Sequence, residues 1–272
     1  MKARLKFSKV GSMRFIGHLD VMRYFQKAFR RAGIAVSYSQ GFSPHQIMSF
    51  ASPLGIGLSS DGEYLDIALE DGEDVSRIVE RINAQMNEEI WVRDFTVLEE
   101  ESKTSMAVLA ACDYLIGVKP EKESFLLDEA RRRQAVERFC RQDKIMILKK
   151  SKRSERMMDI REYIYVVTDS LQDFQEFTGV DYGTPSLEEE VLPALYMQLT
   201  AGSVVNIKPE LVLEALFAQE GEDFRWTDYQ VHRLEMYGDI GMKKGEVHTR
   251  TSEDVCQLMP LWQYGEKGKM DE

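Results

Sequence analysis

The chain has 272 residues, 43% hydrophobic and 30% charged, which suits roughly two compact domains and excludes a disordered or fibrous protein. No apolar run approaches the ~20 residues of a bilayer span, and residues 1–7 alternate charged and apolar side chains instead of forming a secretory core, so a soluble cytoplasmic protein without membrane contact is expected. The net charge of −11 speaks against nucleic acid until its distribution is read: residues 1–50 hold nine Lys/Arg against one acid, and residues 131–161 hold twelve against four.

Residues 2–9 set Ala3, Leu5 and Phe7 against Arg4, Lys6 and Ser8, the period of a half-buried strand with a basic outer face. Gly11 and Ser12 end it. Over residues 19–32, Met22, Phe25, Phe29 and Ala32 form one helical stripe, with Gly33 placed as a helix-ending glycine. Arg23, Lys27, Arg30 and Arg31 fall mostly off that stripe. Residues 34–38 read as a short strand, and 39–45 as a turn-rich loop with Gly41 and Pro44. Strands are expected at 46–50 and 63–69, flanking a glycine-spaced loop at 52–62. Val75, Ile78, Val79, Ile82 and Met86 mark a second helix, and residues 90–98 a closing strand. The order β-α-β-β-α-β is the ferredoxin-like split arrangement.

A polar linker at 100–107 precedes a second half of similar outline. It reads as strand 108–118 interrupted by Asp113, helix 124–141, and strands 145–149 and 159–168 around the basic run 149–156. An acidic excursion at 171–190, strand 194–200, helix 209–219 opened by Pro209, and strand 231–237 follow. The expected fold is therefore α+β. It comprises two ferredoxin-like units in tandem, 1–99 and 108–240, with antiparallel sheets and helices on one face. A C-terminal extension at 241–272 has an end, 265–272, expected to be disordered.

Cys112, Cys140 and Cys256 are far apart, with no CxxC pair and no Cys/His cluster, so a disulfide scaffold, a zinc finger and a cysteine-ligated cluster are not expected. The P-loop, dinucleotide, HExxH and GxSxG signatures are all absent. Glu63 and Asp66 stand three apart on an expected strand, hence on opposite faces, and make a poor carboxylate pair. The loop 52–60 is conceivable as a phosphate cradle but opens no helix and lacks the P-loop lysine.

The densest chemistry lies at residues 15–50. Asp20 suits a first helical turn, where the dipole favours a carboxylate, and His18 suits a cap or the edge of a core. As acid/base groups, His18, Asp20 and His45 lack a nucleophile at a recognisable spacing. Tyr38, Phe42 and His45 place aromatic surfaces near Arg30 and Arg31, a combination suited to unpaired bases and phosphates. The alternative is an ordered connection whose Phe42 plugs the core. In the second half, Lys149, Lys150, Arg153 and Arg161 form a basic stretch, by default a solvated one, that joins an anion-binding track if it shares a face with the first helix.

The segments Phe15-Ile16-Gly17-His18-Leu19-Asp20, Arg30-Arg31-Ala32-Gly33, Tyr38-Ser39-Gln40-Gly41-Phe42-Ser43-Pro44-His45 and Phe50-Ala51-Ser52-Pro53-Leu54, with Arg23, Gly57 and Glu63, resemble the signature of the radical SAM-linked protein family. That is a bacterial domain of unknown function, encoded beside or fused to a radical SAM protein with a cobalamin-binding-like domain. The resemblance is strong over about the first seventy residues. It implies an accessory role in which a partner supplies S-adenosylmethionine, an iron–sulfur cluster and cobalamin, while this chain carries no cofactor or metal.

The leading expectation is a non-catalytic recognition module. It holds RNA, tRNA or rRNA, for modification by that partner through Arg23, Arg30, Arg31, Tyr38, Phe42, His45, Lys149, Lys150, Arg153 and Arg161. A subunit that docks the partner without nucleic acid is the second, and an enzyme using His18, Asp20 or His45 the third.

Overall fold

The computed structural model describes residues 1–70, 73–150, 155–241, 245–250 and 257–265. It is a mixed α+β protein, mostly antiparallel sheet with a few helices. The chain divides into two compact units. The first comprises the described residues of 1–109, 235–240 and 257–265, and the second those of 110–234 and 241–250.

The first unit opens with β1 (Lys2–Lys9), as the alternation predicts. Its basic face is not solvated, however. Arg4 and Ser8 are buried and Lys6 is four-fifths covered. The hydrophobic alternation fixes the strand but says nothing of what lies over its polar side. There, Arg4 pairs with Asp66 at 2.7 Å and Lys6 with Glu235 at 2.6 Å.

The helix α1 (His18–Arg31) turns Val21, Phe25, Ala28 and Phe29 into the core. It stops as expected, with Gly33 at φ +64° and the Ile34 N–H returning to the Phe29 carbonyl. Residues 34–38 are not a strand. They pair only through isolated bridges, Val36 with Leu69 and Tyr38 with Gln46. The Ala35 N–H is diverted to the Glu73 carboxylate at 2.9 Å, so no continuous ladder forms.

Next come β2 (Met48–Phe50), β3 (Ser59–Ala68), α2 (Ile78–Asn83) and β4 (Ile90–Val97). β3 begins four residues earlier than the pattern suggests, and α2 is shorter. The Asn83 side chain ends α2 by bonding both the N–H and the carbonyl of Val92. β1 lies between β4 and β3, antiparallel to both, and β2 pairs with β3. The core gathers Leu5, Phe7, Phe25, Phe29, Phe50 and Leu65. The expected linker is ordered. It holds α3 (Ser105–Val108), and Asp66 accepts the Ser105 N–H.

The second unit runs β5 (Leu109–Val118), α4 (Glu129–Cys140), β6 (Met146–Lys150), β7 (Glu155–Asp159), β8 (Ile164–Thr168), α5 (Leu171–Thr178), β9 (Leu192–Thr200), α6 (Pro209–Glu220) and β10 (Tyr229–Asp239). From Glu235 onward β10 belongs to the first unit, as does β11 (Leu258–Pro260), which pairs with it. The strand order in the second unit is β10-β5-β9-β8, and β6 and β7 form a separate hairpin. The single strand expected at 159–168 is two. The Asp159 carboxylate accepts the N–H groups of Ile145 and Arg161 and turns the chain out of line. Asp113 does not break β5, because it is fully buried and accepts the Tyr182 hydroxyl at 2.5 Å. The acidic excursion contains α5, capped by Ser170.

Candidate functional site

The outward face of α1 carries Arg23, Lys27 and Arg30 at i, i+4 and i+7, all exposed. Like charges at that spacing repel, each pair by about 0.2–0.5 kcal/mol in an isolated helix. Asp20 offsets little of this. It meets Arg23 at 3.3 Å with both side chains about two-thirds exposed. Arg30 and Arg31 also occupy the last turn, where the helix dipole favours cations.

Opposite this stripe runs a short ribbon. The Ile47 N–H donates to the Ser37 carbonyl and the Ser39 N–H to the His45 carbonyl, each at 2.8 Å. The Ser39 hydroxyl lies 2.9 Å from His45 Nδ1 and accepts the His45 N–H at 3.2 Å, which closes the loop. Gly41 at φ +120° supplies a backbone that other residues rarely adopt. Phe42 at the tip is fully exposed, so it does not plug the core.

Helix and ribbon together enclose a surface cleft of about 340 Å³ lined by Arg23, Lys27, Arg30, Tyr38, His45 and Gln46, with Gln26 and Pro44 completing it. Four residues singled out in the sequence, Arg23, Arg30, Tyr38 and His45, therefore meet in one place. Arg31 lies outside the lining, and the ring of Phe42 stands free at the loop tip.

His18, Asp20 and His45 have three different neighbours and form no acid/base constellation with one another. His18 packs edge-on against Phe50 with ring centres 4.9 Å apart, at the rim of the core. In the second unit, Lys149 is half-buried on β6. Arg161 donates to the carbonyls of Gln142 and Cys140 at 3.0 and 2.8 Å, bracing the end of α4. Burial lowers its pKa from the usual arginine value, and Arg250 lowers it further. The Lys150 side chain and Arg153 lie outside the described residues.

A larger cleft, about 810 Å³, lies in the second unit. Glu121, Glu123, Asp128, Glu222, Asp223 and Asp228 line it against three cations, the wrong sign for phosphate. Among the described residues no cluster of three or more His, Cys, Asp or Glu side chains could hold a metal, and no helix is long and apolar enough to cross a membrane.

Sequence reasoning missed Lys27 and Gln46 as cleft residues. The i, i+4, i+7 spacing of Arg23, Lys27 and Arg30 was a usable signal for the first. Gln46 had none, because its place depends on the bridge to Tyr38.

The profile of a bacterial family described as an uncharacterized protein conserved in bacteria (DUF2344) matches residues 2–209. The chain belongs to this family. No curated protein matches it. The DUF2344 match spans the whole of the cleft and most of the second unit.

Proposed function

We propose that this DUF2344 protein is a cytoplasmic, non-catalytic recognition subunit that binds unpaired RNA, tRNA or rRNA, for modification by a radical SAM partner. The observation carrying the reading is the cleft itself, where three cations on one helix face aromatic side chains of a short hydrogen-bonded ribbon. Cations that track phosphates beside rings that stack bases are the ordinary means of holding single strands. The partner rests on the signature in residues 15–54. In this reading S-adenosylmethionine, the iron–sulfur cluster and cobalamin belong to that enzyme.

We also read each unit as ferredoxin-like. The order β4-β1-β3-β2 in the first and β10-β5-β9-β8 in the second are the same arrangement, strand four beside one, then three, then two. The β6–β7 hairpin and α5 would be insertions.

A gel shift with total RNA at about 50 mM salt tests the binding. The wild type should retain RNA, and Arg23→Glu with Arg30→Glu should weaken retention at least ~10-fold. An unchanged shift removes this surface from the argument. A second reading, docking of the partner without nucleic acid, is favoured by the unpacked Phe42 ring. Under it, nuclease leaves the complex with the partner intact while Phe42→Ala dissolves it.

A further inference from the structure

Gln46 is 7% exposed, yet it lines the cleft, and its side-chain carbonyl oxygen has no hydrogen-bond partner among the described residues. It stands directly across the bridge from Tyr38, so both side chains leave the same side of the ribbon. Buried acceptors of this kind are normally satisfied, and one left open is a defect unless something arrives to fill it.

The neighbouring cations cannot be satisfied by the same chemistry as Gln46. Arg23, Lys27 and Arg30 only donate and call for an anion. A phosphate satisfies them but brings nothing except acceptors to Gln46. A single ligand that satisfies both the cations and Gln46 Oε1 offers an anion and an N–H donor on one molecule. An unpaired nucleotide does so. Its phosphates meet the α1 stripe and its base presents the donor. The exocyclic amine of adenine or cytosine projects clear of the ring, whereas the N–H of uracil sits between two carbonyl oxygens that would face the Gln46 oxygen. The exposed Tyr38 ring lies beside Gln46 as a stacking surface.

From this geometry we infer that the cleft selects an unpaired, amine-bearing nucleobase, stacked on Tyr38 with its exocyclic amino group donating to Gln46 Oε1. The inference rests on the RNA-binding reading above and specifies what that site reads.

The test is fluorescence anisotropy of the full chain with two single-stranded RNA decamers. One is oligoadenosine. In the other, purine riboside replaces every adenosine, so that only the amino group is lost. The wild type should bind oligoadenosine roughly 10-fold more tightly. Gln46→Met, which keeps the length and removes the acceptor, should bind the two alike with an unchanged salt dependence. Equal binding of both decamers by the wild type overturns base selection while leaving RNA binding intact. A preference that survives Gln46→Met overturns its assignment to Gln46. Binding of neither decamer overturns the RNA reading itself.

Discussion

A guanidinium that is 1% exposed must place five N–H donors, and Arg4 does so. Nε and one Nη2 donor reach Asp66 at 2.7 and 3.3 Å. The Nη1 donors reach the carbonyls of Leu261 and Tyr264, both at 2.8 Å, and Lys103 takes the last at 3.4 Å. Arg4 thus ties β1, β3 and the stretch before α3 to the C-terminal stretch around β11. Arg4→Met would strand the Asp66 carboxylate, which among the described residues keeps only the Ser105 N–H at 2.5 Å. Breaking one side of a buried pair costs about 3–5 kcal/mol. The variant should show a denaturation midpoint lowered to match, with faster proteolysis near residue 260. A loss under about 1 kcal/mol would mean the pair is dispensable. Period two made β1 legible in the sequence, but its polar face looked solvated. The partners of Arg4 lie up to 260 residues away, and no local pattern announces them. Gln46 was illegible for the same reason on a smaller scale.

Elements were more legible than their surroundings. Pro209 opens α6 at its first turn as the sequence suggested, and Gly221 at φ +69°, which the sequence reading did not single out, closes it. Helices carry their own start and stop chemistry, whereas residues 34–38 needed a partner strand and found only bridges. The charge at the end of α6 is a separate matter. Glu220 is its last residue, where the dipole disfavours a carboxylate. Arg138 of α4 answers it with Nη2 at 2.8 and 2.7 Å from the two oxygens. Hydrogen bonding from Arg138, more than any other influence, lowers the Glu220 pKa below the usual carboxylate value. A depressed folded-state pKa means that the stabilisation is complete above the unfolded carboxylate pKa, about 4.3. It is lost as pH falls through the lower folded value. The denaturation midpoint of the wild type should therefore drop more between pH 6 and pH 3 than that of Glu220→Gln. Parallel pH curves for the two proteins would show that the α4–α6 pair adds nothing.

At the scale of the whole chain, net charge misleads in both directions. A total of −11 suggested no anion partner, and the run of nine cations in residues 1–50 suggested a broad basic field. The fold retires part of that field, since Arg4 and Lys6 are spent on carboxylates and Lys9 is buried, donating to the Ile16 carbonyl at 3.0 Å. What faces solvent in the cleft is a stripe of three, Arg23, Lys27 and Arg30. This sets the expected salt response. Single-stranded nucleic acid releases about 0.7 counterion per phosphate neutralised, so three contacts give a slope of log K against log salt near −2. Between 50 and 200 mM salt the affinity for an RNA decamer should then fall roughly 15-fold to 20-fold, as filter binding would measure. The Arg23→Glu, Arg30→Glu variant should flatten the slope to shallower than about −1. A wild-type slope near −4 would instead require phosphate contacts beyond these three cations, and the cleft alone would no longer account for binding.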